Sequence, residues 1–255
     1  MIKVLIWGIG GKMGKNVYEC LQNESDMVCV GGMDKFANPA QFDVPVFQDA
    51  SQINVDVDVI IDFSRPDALE PMMEYAIAHN CKVVIATTGY SIDQIVQIGK
   101  YSEKVAIFKT ANLSLGVNLM TALCRKASQF LGTNYDVEII EQHHNLKVDS
   151  PSGTALAIAK AINEEYDNQK EFVYGRHGND TKRQPNEIGI HAVRGGTIVG
   201  KHEVLFIGKD EVITISHEAQ SKMVFAVGAV KAARYISKHS CGLHDMQDLI
   251  ATIIE

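Results

Sequence analysis

A chain of 255 residues with 24 Lys and Arg against 31 Asp and Glu carries a formal charge of −7, and 46% of it is hydrophobic. That is enough apolar material for one large domain or two modest ones, at an ordinary globular composition. The acidic balance argues against a nucleic-acid partner, although a local cluster of donors could still hold an anionic small molecule.

In chain order, short apolar runs at 2–7, 27–31, 55–63, 82–87 and 105–110 alternate with helical patterns at 13–21, 68–79 and 92–101. Runs this short and this apolar suit strands buried on both faces of a parallel sheet. The alternation predicts a doubly wound α/β domain of the Rossmann type. Pro66 is placed to open the helix that follows it. The pattern changes near residue 113, which is read as a domain boundary. A long helix is expected over 115–131, a strand over 136–142 and a helix over 153–166. Residues 167–187 are rich in turn formers and read as a long loop. Three strands follow at 188–193, 197–206 and 211–217, with Gly195-Gly196 and Lys209-Asp210 at the turns. Such short connections predict antiparallel pairing. Helices over 223–238 and 245–254 close the chain.

Cys20, Cys29, Cys81, Cys124 and Cys241 are odd in number and lack CxxC spacing, which suits free thiols in a reducing cytosol. The apolar run at 4–7 is too short for a signal peptide. No stretch reaches the about 18 apolar residues of a membrane span. A cytoplasmic chain without a membrane partner is therefore expected.

Gly8-Ile9-Gly10-Gly11-Lys12-Met13-Gly14 joins the first strand to the first helix. Glycines there let a pyrophosphate approach the backbone, and the free amides of the helix start face it. The third glycine falls one place later than in strict GxGxxG, with Met13 at the usual position. Asp34 follows Gly14 by 20 residues, where an acidic side chain accepts hydrogen bonds from a ribose diol. Lys35 could instead attract a 2′-phosphate, so the pair predicts use of both NADH and NADPH. Two further loops, Ala86-Thr87-Thr88-Gly89 and Thr110-Ala111-Asn112-Leu113, lie at strand ends where ligands of open α/β sheets bind. They are candidate nicotinamide contacts or ordinary helix caps.

The segment Glu141-Gln142-His143-His144-Asn145-Leu146-Lys147-Val148-Asp149-Ser150-Pro151-Ser152-Gly153-Thr154-Ala155 ends a strand, crosses a loop and opens an Ala-rich helix. At that helix start the amides of Gly153 and Thr154, with the Thr154 hydroxyl, are expected to offer a carboxylate site. Lys147 and two imidazoles supply proton donors. The set suits a small dianion that receives a hydride and then a proton. Adjacent histidines on an extended strand diverge, and no metal-ligand spacing occurs, so no metal is expected. No GxxxxGK[ST] and no GxSxG is present.

That segment closely resembles the E-x-H-H-x-x-K-x-D-x-P-S-G-T-A signature of the dihydrodipicolinate reductase family, also called 4-hydroxy-tetrahydrodipicolinate reductases. The resemblance extends to the Gly8–Gly14 turn, Asp62-Phe63-Ser64, Thr87-Thr88-Gly89, Ala111-Asn112-Leu113-Ser114 and residues 194–202. Leu113, Ser150 and Ala86 replace a common Phe, Ala and Gly. The resemblance implies reduction of a cyclic dicarboxylate, with loss of water, to tetrahydrodipicolinate on the way to diaminopimelate and lysine. It implies that His143 and Lys147 are the candidate proton donors and that His144, Gly153 and Thr154 bind the substrate carboxylates. It further implies a dinucleotide domain over 1–113 completed by 223–255, and a substrate and oligomerisation domain over 114–222 with an open mixed sheet. A homotetramer built through that sheet and hinge motion near residues 113 and 222 are expected. Another two-domain NAD(P)-dependent dehydrogenase of small carboxylates stays open as the alternative, although none of the five cysteines has the activating context a thioester mechanism needs.

Overall fold

The computed structural model describes residues 1–110 and 112–254. In chain order its elements are β1 Ile2–Trp7, α1 Lys12–Leu21, β2 Met27–Met33, β3 Val46–Phe47, β4 Val59–Asp62, α2 Leu69–Ala78, β5 Lys82–Ile85, α3 Ile92–Ser102, β6 Ala106–Lys109, α4 Leu115–Leu131, β7 Asp136–His143, α5 Gly153–Glu164, β8 Glu171–Tyr174, β9 Glu187–Arg194, β10 Gly200–Ile207, β11 Val212–Ala219, α6 Met223–Ile236, β12 Gly242–His244 and α7 Met246–Ile254. The chain divides into one unit of Met1–Leu115 with Lys222–Glu255, and a second of Gly116–Ser221.

The first unit holds a parallel sheet in the order β12-β6-β5-β4-β1-β2-β3. Its central strands β1, β4 and β5 are apolar apart from Lys3, Asp62 and Lys82, because both faces are covered. Val4 and Ile6 face a core shared with Val17 and Leu21 of α1 and with Ala226, Ala229 and Ala233 of α6. Leu5 and Trp7 face the opposite core, with Leu69, Met72 and Met73 of α2 and Ile98 of α3. Small residues let α6 approach closely: a Cβ on Gly228 would stand 1.7 Å from the Leu113 carbonyl oxygen. The strand order turns back at β1, whose neighbours are β4 and β2. The crevice at the carboxyl ends there is the usual ligand edge of such sheets.

The second unit holds a mixed sheet in the order β11-β10-β7-β9-β8. One face is apolar: Val137, Ile139, Ile188, Ile190, Val204 and Phe206 bury against Met120 and Cys124 of α4 and Ile158, Ala159 and Ile162 of α5. Alternation with half-buried Glu138, Ile140, Leu205 and Ile207 leaves the other face open. The expected run of antiparallel hairpins is corrected in one place. β10 and β11 pair antiparallel, but β9 pairs parallel with β7 and β8 and makes no ladder with β10. β7 fills the space between them, so the Gly195-Gly196 turn crosses over β7. The stretch expected to be a long loop also contains β8.

Candidate active site

In the first unit the glycine turn lies at the switch point. Gly8 has φ of 87°, and a Cβ there would meet the Phe63 carbonyl oxygen at 2.7 Å. A Cβ on Gly14 would stand 2.2 Å from the Gly8 carbonyl oxygen, so the late third glycine lets α1 start tightly under the turn. The side chain of Ile9 is wholly buried, which leaves its backbone to face a ligand. Asp34 closes the turn: one carboxylate oxygen accepts from the Gly10 amide at 3.0 Å, the other from Phe36 and Ala37 at 2.9 and 3.1 Å. A cavity of about 370 Å³ opens here, lined by Gly8, Gly11, Asp34, Lys35, Ser64 and Arg65 among others. Glycine amides, a helix start, an acceptor carboxylate and two cations around one cleft suit a dinucleotide. Ser64, Arg65 and the exposed Phe36 in this lining were given no cofactor role from sequence; their signal is position, just after β4 or β2 at the same sheet edge.

Below the cleft the Asp62 carboxylate is wholly buried. It accepts from the Ser64 amide at 2.9 Å, the Ser64 hydroxyl at 2.5 Å and the Tyr90 hydroxyl at 3.3 Å. Burial pushes its carboxyl above the ordinary range despite these donors. The carboxyl thereby ties Ser64 to Tyr90, the residue that follows the Ala86-Thr87-Thr88-Gly89 loop, with Gly89 at φ of 84°. In the next loop Thr110 and Asn112 bond locally and the Leu113 side chain joins the first core. Ala111 lies outside the described residues.

In the second unit His143 ends β7 with its ring 11% exposed, and its Nδ1 stands 2.6 Å from Glu141 Oε2. Glu141 is fully buried. Arg194 grips both of its oxygens at 2.8 and 2.7 Å, and the Ser152 amide donates to Oε1 at 2.9 Å. Burial alone would raise the Glu141 carboxyl, but Arg194, His143 and Ser152 together hold it below the ordinary range. Ser152 caps α5 by accepting from the Ala155 amide, and its hydroxyl meets His202 Nε2 at 3.1 Å. The His202 ring lies 5.2 Å from that of His143, and burial lowers its pKa to about 4.

Beside this group the loop turns through a bond from the Lys147 amide to the His144 carbonyl. Lys147 Nζ pairs with Asp149 at 2.7 Å, and that lysine, aided by the Gly153 amide, holds the Asp149 carboxyl below its usual range. His144 Nδ1 is buried without a partner among the described residues. A Cβ on Gly153 would meet nothing within 4 Å, so the start of α5 faces open space. His143, His144, Lys147, Gly153 and Thr154 thus gather at one end of the second unit. Glu141, Arg194, Ser152 and His202 were assigned no role from sequence. The available signals were a carboxylate in an apolar strand and the β7–β9 register, which sets His143 opposite Arg194. Among the described residues no group of three or more His, Cys, Asp or Glu could hold a metal.

Known proteins resemble the chain over nearly its whole length. A family model described as dihydrodipicolinate reductase, N-terminus, matches residues 2–113, and its C-terminal counterpart matches residues 116–250. The 4-hydroxy-tetrahydrodipicolinate reductase of Caldanaerobacter subterraneus subsp. tengcongensis is 46% identical over 98% of each chain. That of Clostridium novyi is 45% identical, also over 98% of each. A dipicolinate-bound dihydrodipicolinate reductase from Paenisporosarcina sp. TG-14 is 26% identical and superposes with a TM-score of 0.81, covering 96% of this chain and 97% of that one. This chain belongs to the dihydrodipicolinate reductase family.

Proposed function

We propose that the chain reduces 4-hydroxy-2,3,4,5-tetrahydrodipicolinate to 2,3,4,5-tetrahydrodipicolinate, a step toward diaminopimelate and lysine. Family membership over both units is the observation that carries this reading. The reaction consumes one NADH or NADPH and one proton and releases water. Bound NADH or NADPH supplies the hydride.

The chain's own residues have three tasks. The amides of Gly8–Met13 and the Asp34 carboxylate hold the dinucleotide. Asp34 already takes three backbone amides, yet its oxygens keep lone pairs for a ribose diol. Lys35 at the same cleft offers a charge to a 2′-phosphate, which supports use of both nucleotides. Thr87, Thr88, Gly89 and the Thr110–Leu113 loop complete the cofactor contacts. Gly153 and Thr154 at the start of α5, with His144, take the substrate carboxylates. Protonated Lys147 and His143 are the donors that quench the reduced ring, and a substrate carboxylate competes with Asp149 for Lys147. The same reading makes the molecule a cytoplasmic homotetramer assembled through the open sheet face, with a small dicarboxylate as its partner. Five free cysteines are in keeping with a reducing compartment.

The test is direct. Freshly generated 4-hydroxy-tetrahydrodipicolinate, mixed with the protein and either nucleotide, is expected to bleach the reduced-nicotinamide absorbance. No loss above the blank with either nucleotide rejects the reading. Asp34→Ala is expected to raise KM for NADH more than for NADPH, and equal effects remove Asp34 as the ribose partner.

A further inference from the structure

The carboxylate of Glu141 is among the most heavily engaged polar groups of the second unit, and the proposed chemistry does not use it. It is fully buried and receives four hydrogen bonds, two from Arg194, one from His143 and one from Ser152. A lone buried carboxylate would be costly, and the Arg194 guanidinium neutralises it. Arg194 is fixed in turn by the Val193 and Asp149 carbonyls, at 2.8 and 2.7 Å.

An ionised carboxylate accepts and cannot donate. The 2.6 Å contact at Oε2 therefore requires the proton of His143 to sit on Nδ1. Nε2 is left as the second ring nitrogen. No described residue bonds to it, and Gly200 stands against it: a Cβ there would be 3.0 Å away. The neighbouring imidazole does not compete, because burial keeps His202 neutral and Ser152 engages its Nε2. The other oxygen of Glu141 holds the Ser152 amide at the cap of α5. One carboxylate thus orients the imidazole and anchors the capped start of α5, where a Cβ on Gly153 would meet no neighbour.

We infer that Glu141, charge-paired with Arg194, is a positioning residue for this reaction: it fixes the Nδ1–H tautomer of His143, so that Nε2 exchanges the proton, and it couples that ring to the amide end of α5. The inference rests on the proposed reaction for its role in turnover, but the tautomer does not depend on it.

The experiment uses the full chain with isotope-labelled histidine and no ligand. Two-bond proton–nitrogen spectra, assigned with His143→Gln, report which nitrogen of His143 is protonated in the neutral ring. The wild-type protein is expected to show Nδ1–H. Glu141→Gln is expected to lose that preference, since the amide group must turn its oxygen to Arg194 and its NH₂ to the ring. Its kcat is expected to fall about tenfold or more while KM for NADH changes less than about twofold. If Glu141→Gln does not fold because Arg194 is left unpaired, the double variant Glu141→Gln with Arg194→Met removes both charges and is expected to give the same two signatures. Wild-type His143 protonated on Nε2, a folded variant that keeps the Nδ1–H tautomer, or unchanged kcat in a folded variant overturns the proposal. Absence of wild-type turnover overturns the reaction itself and with it the role in turnover, while the spectra still decide whether Glu141 sets the tautomer.

Discussion

His143 and Lys147 sit four residues apart in different electrostatic settings. The imidazole is nearly enclosed and locked to a buried carboxylate, whereas the ammonium meets the exposed carboxylate of Asp149. Replacing either by Ala is expected to lower kcat by roughly 10²- to 10⁴-fold, the usual contribution of a general acid. NADH affinity, read by fluorescence titration, is expected to stay unchanged; full turnover in either variant removes that residue from the proton path. His202 gives a stability signal instead. Its folded pKa of about 4 lies below the unfolded value of 6.5, so between them the unfolded chain binds more protons and stability falls as pH drops. The loss begins below about pH 6.5, is complete near pH 4, and amounts to roughly 3 kcal/mol for this one group. His202→Gln is expected to flatten the acid side of a plot of urea midpoint against pH, and an unchanged slope contradicts the assignment. The chemistry-bearing types, His143, Lys147 and the glycine turn, were legible because motif spacing is local. Glu141 and Arg194 lie 53 positions apart and meet only through strand register, which periodicity does not encode.

At the scale of elements, α5 is built as a helix with an accessible start. Ser152 caps it and Ala155, Ile158, Ala159 and Ile162 bury one side, while Gly153 faces open space. Its φ is not in the left-handed region, so Gly153→Ala has no backbone penalty and replaces the poorer helix former. Thermal stability is expected to hold or rise slightly. KM for the dicarboxylate is expected to increase several-fold, because the methyl stands in the approach to the first amides. An unchanged KM argues that the substrate carboxylates bind elsewhere. The buried strands and their helices could be read from sequence because two covered faces leave a continuous apolar run. β3 and β12 have two and three residues, too few for any period to register. β8 is an edge strand, partly exposed along its length, inside a polar stretch. The expected hairpin between β9 and β10 failed for a related reason: a short connection says the strands are near, and β7 can still lie between them.

For the molecule as a whole, the first unit is assembled from both ends of the chain. The tail contributes the alanine-rich helix that covers one face of its sheet and the strand that completes one edge. A chain stopped after Ser221 leaves Val4, Ile6, Ile61 and Phe108 without that cover. It is expected to lose the cooperative unfolding of the first unit and NADH binding with it, read by circular dichroism and fluorescence. Retention of nucleotide binding by that shortened chain refutes the argument. The same arrangement sets a delay during synthesis. After β6 leaves the ribosome, the 106 residues 116–221 must be made before α6 can be. At roughly 5–20 residues per second that interval lasts on the order of 5–20 s, during which the nascent parallel sheet has an unpaired rim and a bare apolar side. In vivo yield of this chain should therefore respond more to chaperone supply than to the stability of the finished fold.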